Sequence, residues 1–272
     1  MFPPKKILFP VDFSDRCGQA ARMVETYAGH FQAQLTLLHV LELPAYNDLM
    51  IETASDTERR LRDYLTEELE QLDIERVLLE GDPAAQITAY ARAQNIDLIM
   101  LPTHGYAAFR RLMLGSVTSK VLRDACCPVW TGVHMEQVPR LEDISFRKVI
   151  CAIDLGPQSG ATLSWANAFA AEFGAGVHIV HAIPEAGQAF PPGEEAVQQA
   201  SAALKSIENA VGSCATVSIL PEEVAAAVCG CAAREHADLV VIGRSVHDGV
   251  LGRLRANAYS IIRQSPCPVV SV

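Results

Sequence analysis

The chain has few aromatic side chains: 2 tryptophans and an aromatic share of 6% in 272 residues. Its core must therefore be filled mainly by aliphatic side chains and alanine. Cations are also short, with 22 Lys and Arg against 32 Asp and Glu and a formal net charge of −10. A sequence-independent grip on nucleic acid or on an anionic membrane surface needs clustered Lys and Arg, so the balance argues against both partners. Nowhere do eighteen uncharged apolar residues run together, and the start MFPPKKILFPVDFS carries neither an apolar signal segment nor a small-residue cleavage site. The expected location is cytoplasmic. Eight cysteines in this length do not make a disulfide framework. Cys126 and Cys127 are adjacent and Cys229 and Cys231 are separated by one residue, so neither pair has the two-residue gap of a zinc knuckle or thioredoxin-type site. They read as small buried hydrophobes.

What is present is a globular composition, 50% hydrophobic and 20% charged, in a chain long enough for two domains. It is also a repeat. Lys6-Ile7-Leu8-Phe9-Pro10-Val11-Asp12 returns as Lys148-Val149-Ile150-Cys151-Ala152-Ile153-Asp154, and Leu38-His39-Val40-Leu41 as Val180-His181-Ala182-Ile183, both at an offset of 142. Asp97-Leu98-Ile99 returns as Asp238-Leu239-Val240 at 141, and Cys127-Pro128-Val129 as Cys267-Pro268-Val269 at 140. So slow a drift means two copies of one unit with small deletions in the second, joined through the polar stretch from His134 to Asp143. The expected domains are 1–138 and 144–272.

Within each copy, short apolar runs alternate with helical patterns, which predicts a parallel sheet with helices on both faces. In the first, strands are expected near 6–11, 35–40, 76–80, 97–101 and 128–133, with helices near 15–31, 55–72, 83–94 and 115–124. In the second, strands are expected near 148–153, 176–182, 215–220, 238–243 and 267–272, with helices near 159–173, 194–211, 222–235 and 254–264.

The stretch from Asp97 to Arg123 carries the clearest chemistry. A buried strand ends at Pro102, Gly105 and Gly115 bracket nine residues, and Ser116 opens a helix. Unpaired N–H groups and the positive end of a helix dipole attract an anion, and glycine lets it approach the backbone. Phosphate is the natural guest. The same pattern also fits an ordinary strand-to-helix connection with Ser116 as N-cap. Asp12, two residues before Ser14, likewise fits either a ligand or a turn former.

Taken together, Pro10-Val11-Asp12-Phe13-Ser14, Leu38-His39-Val40, Thr103-His104-Gly105-x9-Gly115-Ser116 and Cys127-Pro128-Val129 resemble the universal stress protein family, and the chain resembles a tandem of two such domains. The resemblance implies an α/β, Rossmann-like fold of the adenine nucleotide alpha hydrolase kind. Each domain would have five parallel strands in the order 3-2-1-4-5, with a ligand crevice at the carboxyl ends where the order reverses. It implies ATP or another adenine nucleotide in the first domain, accompanied by Mg²⁺, and assigns Pro10, Asp12, Val40, Thr103, Gly105, Gly115, Ser116 and Val117 to that site. Asp12 would hold ribose or adenine, Val40 would line the adenine slot, and Gly105, Gly115, Ser116 and Val117 would cradle phosphates.

Two departures matter. The family's first motif glycine falls on Pro102, which has no N–H. In the second copy Gly243 keeps that glycine, Val246 replaces the next, and Arg255-Ala256 stand where Gly115-Ser116 would be, so the usual ATP site is not expected there. The resemblance instead gives the second domain a structural role, an intrachain pseudo-dimer through the last strands, and allows a homodimer of chains. Arg244, Ser245, His247 and Arg253 could serve a different, non-nucleotide ligand.

The favoured reading is a non-enzymatic, nucleotide-responsive stress protein acting on an unknown protein partner. The alternative is a slow ATPase or nucleotidyl-transfer enzyme in the same crevice. The chain supplies no Walker lysine, no carboxylate pair for Mg²⁺ and no Ser-Gly-Gly loop. His39 and His104 read as hydrogen-bonded fixtures, and Arg110 and Arg111 as a solvated pair. An electron-transfer flavoprotein-like module shares the fold class.

Overall fold

A computed structural model of the protein describes residues 2–42, 54–102, 114–131, 145–183, 194–244 and 253–272. The chain divides into two compact units, residues 3–144 and 145–272. The expected joint, His134 to Asp143, lies outside the described residues.

Unit 1 runs β1 (Lys6–Pro10), α1 (Asp15–Phe31), β2 (Gln34–Leu41), α2 (Ala54–Asp63), β3 (Ile74–Glu80), α3 (Pro83–Ala93), β4 (Leu98–Met100), α4 (Ser116–Asp124) and β5 (Val129–Thr131). All its strand pairs are parallel: β1 with β2 and with β4, β2 with β3, and β4 with β5. Ile7, Leu8, Phe9, Leu35, Leu37, Ile99 and Met100 are fully buried, so both faces of these strands are covered. That is why they read as unbroken apolar runs rather than alternating ones. Each such side chain contributes about 1.5–3 kcal/mol through burial.

Unit 2 repeats the plan with β6 (Lys148–Ala152), α5 (Ser159–Phe173), β7 (Gly176–Ala182), α6 (Glu194–Val211), β8 (Thr216–Leu220), α7 (Val224–Arg234), β9 (Leu239–Ile242), α8 (Arg253–Gln264) and β10 (Val269–Ser271). Here β6 pairs with β7 and β9, β7 with β8, and β9 with β10, again all parallel.

The repeated Asp-Leu-Ile/Val signature has a structural job at the amino edge of each sheet. Asp97 Oδ2 accepts from the Lys5 and Lys6 amides at 2.9 and 3.1 Å, and Asp238 Oδ2 from the Arg147 and Lys148 amides at 2.7 and 3.0 Å. One carboxylate thus aligns the start of the fourth strand of each unit with the start of the first, satisfying N–H groups the ladder leaves over.

One expected helix is shorter than its sequence pattern. Leu61, Leu65 and Leu69 keep helical spacing, which extends the reading towards 72, yet α2 ends at Asp63 and Leu65 takes φ +54°. The cause is remote in sequence. Arg76, on β3, donates Nε to the Leu61 carbonyl at 3.1 Å and Nη2 to the Tyr64 carbonyl at 3.2 Å, capping the helix from the side. The leucines still reach the core, Leu61 at 2%, Leu65 at 6% and Leu69 at 0% exposure.

The cysteines split. Cys127, Cys229 and Cys231 are buried as expected, whereas Cys126 is exposed, which corrects the reading of that pair as two core residues.

Candidate functional site

The carboxyl end of β1 turns sharply into α1. Asp12 Oδ1 accepts from the Ser14 amide at 3.0 Å, closing an Asx turn, and Phe13 between them sits at φ +60°. A left-handed aromatic residue is strained by roughly 1–2 kcal/mol and persists only where its surroundings fix it. They do so closely. Ser14 caps α1 through the Cys17 amide, the Tyr64 hydroxyl donates to the Ser14 carbonyl at 3.3 Å, and His39 Nδ1 lies 2.7 Å from the Val11 carbonyl. A carbonyl can only accept, so Nδ1 carries the proton and the histidine acts as a strut between β2 and the end of β1. The Phe13 ring packs 4.3 Å from the His39 ring and edge-on to Tyr64, with the Arg60 guanidinium 4.3 Å from its centroid.

Cys17 Sγ lies 3.1 Å from Asp12 Oδ1. Burial, then the Asp12 carboxylate, pushes this thiol up to about 12, so it is a protonated donor at neutral pH.

On the neighbouring strand, Leu101 pairs its amide with the Trp130 carbonyl at 3.1 Å, and the ladder stops at buried Pro102. Thr118 Oγ1 donates to the Pro102 carbonyl at 3.2 Å, tying the first turn of α4 to the end of β4. The N-cap of α4 is Gly115, at φ −57° and ψ 150°, and it makes no side-chain cap bond. Ser116 is therefore the first helical residue and not the N-cap. Glycine offers no side chain to the first amides of α4, and those amides carry the partial positive charge of a helix amino end.

Because β1, β2 and β4 are parallel neighbours, Pro10, Asp12, Val40, Pro102 and the first turn of α4 with Gly115, Ser116 and Val117 all belong to the carboxyl edge of one sheet. Pro10 closes β1 opposite Leu38, and Val40, 8% exposed, stands near the end of β2. Asp12 is half-buried and Ser116 is exposed. Thr103, Gly105, His104, Arg110 and Arg111 lie outside the described residues.

An open cleft of about 580 Å³ lies beside this edge, lined by Phe13, Ser14, Gly18 and Tyr64 and by the acidic residues Asp15, Asp63, Glu67 and Glu68. Its four acidic residues make it a poor host for a phosphate, and among the described residues neither Asp12 nor the tip of α4 lines it. Among the described residues no group of three or more His, Cys, Asp or Glu is placed to hold a metal ion, and no helix is long and apolar enough to cross a membrane.

Unit 2 rebuilds half of this arrangement. Asp154 Oδ1 accepts from the Gly156 amide at 2.8 Å and from Ser159 Oγ at 3.2 Å, Leu155 has φ +63°, and His181 Nδ1 lies 2.8 Å from the Ile153 carbonyl. The other half differs. Helix α8 already starts at Arg253, before Ala256, the position matching Ser116 at the offset of 140. The Arg244 amide donates to the Val272 carbonyl at 2.9 Å; Ser245 and His247 lie outside the described residues. A Cβ at Gly243, the residue matching Pro102, would meet Thr162 Oγ1 at 2.8 Å, so a side chain there and Thr162 compete for one space. The residue matching Thr162 in unit 1 is Ala20.

A duplicated α/β unit with an Asx corner after its first strand defines the class of protein. The universal stress protein family profile matches residues 3–131 and 145–272, and the chain belongs to that family, with two of its domains in tandem. Among its relatives, a universal stress protein of Methanocaldococcus jannaschii is 31% identical over 137 residues, covering 46% of this chain and 79% of its own length. Another, from Thermus aquaticus, is 32% identical over 131 residues, covering 46% of this chain and 96% of its own length. The crystal structure of a universal stress protein from Archaeoglobus fulgidus matches with a TM-score of 0.77 at 21% identity, covering 99% of this chain and 98% of the other, which shows a shared fold.

Proposed function

We propose that this chain is a nucleotide-responsive stress protein without catalytic turnover, holding ATP or another adenine nucleotide in its first domain. The observation that supports the reading is that a carboxylate and a helix tip without a side-chain cap belong to adjacent strands at one sheet edge. The first suits ribose hydroxyls or the adenine amino group, the second suits phosphates. In this reading Asp12 and Pro10 take the nucleoside, Val40 its base, and Gly115, Ser116 and Val117 the phosphates, with Thr103 and Gly105 completing the loop. Mg²⁺ would arrive with the phosphates. Occupancy would alter the surface offered to a protein partner. The second domain, lacking the glycine-serine pair, does not take ATP in this manner.

Pro102 offers no amide where the family motif has glycine, so the affinity expected is modest. Isothermal titration of the full chain with ATP, ADP and AMP tests the proposal. Heat with at least one of them is expected, and Ser116→Ala should weaken it about three- to tenfold by removing one hydroxyl donor. Absence of heat with all three up to millimolar concentration overturns it.

A further inference from the structure

We propose that Cys17 is a positioning residue for Asp12, a role that rests on the nucleotide site proposed above and adds a member to it. Cys17 stands in the first turn of α1 and is 2% exposed. Its thiol reaches Asp12 Oδ1, the oxygen that also accepts from the Ser14 amide. Two donors therefore converge on one carboxylate oxygen. Among the described residues, Oδ2 accepts no hydrogen bond. The pair of bonds fixes the rotamer and sets Oδ2 apart as the oxygen that can take a ligand hydroxyl or amine, a single, preset acceptor.

The second unit supplies the independent observation. At the same spacing of five residues, Ser159 donates to Asp154 Oδ1 beside the Gly156 amide. What the two units have in common at this position is a side-chain donor, and not merely a small volume. A thiol is a weaker donor than a hydroxyl, but a charged acceptor strengthens its bond. Cys17 is also too buried to act as a surface thiol, and its protonated state suits it to donate and not to attack.

Alanine and serine at position 17 both lose the sulfur's volume and differ mainly in the donor, which makes the pair a direct test. Titrating the full chain with ATP and AMP, Cys17→Ala should bind about three- to tenfold more weakly than the unsubstituted protein, and Cys17→Ser within about twofold of it. Cys17→Val, which fills the space without a donor, gives the same comparison if the alanine variant does not fold. If the unsubstituted chain binds and Cys17→Ala binds as tightly, or if serine is as weak as alanine, the positioning role is wrong and the site stands. If the unsubstituted chain binds neither nucleotide, the site itself fails and the role falls with it.

Discussion

The two units close their first strand with the same set of bonds and begin the helix after their fourth strand differently. Asp12 and Asp154 each bond the amide two residues on, each is followed by a residue near φ +60°, and each sits beside a histidine strut. At the offset of 140, Arg255 and Ala256 stand in place of Gly115 and Ser116 and lie inside α8, which opens at Arg253 directly after Gly252. The corner is needed to turn the chain from strand to helix, so it persists whether or not a ligand is bound. A glycine N-cap costs a helix only about a few tenths of a kcal/mol relative to a side-chain cap, so folding stability does not by itself select Gly115. The comparison of the units therefore rests on the pair Gly115-Ser116, which differs between them, and not on the aspartate, which both share.

The largest expected effect sets the two aspartates against each other in the full chain. Asp12→Ala should weaken nucleotide binding at least about tenfold, the loss of a charged acceptor, whereas Asp154→Ala should leave it unchanged. Both variants should lose similar stability, because both remove an Asx-turn acceptor. Calorimetric titration with thermal unfolding alongside separates binding from folding, and equal loss of binding in the two variants would erase the proposed difference between units.

The next effect concerns the motif glycine. Gly243 looks like a remnant of a phosphate loop, but its absent side chain makes room for Thr162. Gly243→Ala should destabilise unit 2 by roughly 1–3 kcal/mol through overpacking. Adding Thr162→Ala, which imports the unit 1 residue, should recover most of that in urea unfolding. Recovery that fails would mean the glycine is held for its backbone and not for space.

The folding pattern was legible because its signals are local. Buried parallel strands read as apolar runs, Ser14 and Asp82 stand at helix N-caps, and the repeat offset aligned the units. The end of α2 was not, because the caps come from Arg76, a dozen or more residues away on β3. Half of the candidate site was visible in Asp12, Gly115 and Ser116. Cys17 was missed: read alone, a cysteine in an apolar helix face is a small hydrophobe. The available signal was the repeat itself, which aligns Cys17 with Ser159, two donors at the same distance from two aspartates.

A smaller effect separates the units by pH. Thr36 in β2 has His178 as its counterpart in β7, 7% exposed, with Nε2 2.9 Å from Ser218 Oγ. Its Nδ1 lies 3.8 Å from the Glu235 carboxylate, an ion-pair distance beyond hydrogen-bond reach, and Glu235 is also held by Lys148 at 3.3 Å. Burial holds the imidazole below its ordinary value; Glu235 opposes this, while Lys148 and Arg234 add to it. The native state thus binds this proton less readily than the unfolded chain, and stability rises with pH wherever the unfolded state holds more protons. The contribution of His178 is fully present above about pH 6.5, where an unfolded imidazole is neutral, and is lost as pH falls towards the lowered native value. His178→Gln should flatten the fall in the urea midpoint of unit 2 between neutral pH and pH 5, while Thr36→Gln in unit 1 should leave that slope alone. If the His178→Gln protein keeps the full slope, the acid sensitivity belongs to other groups and the two units do not differ through this position.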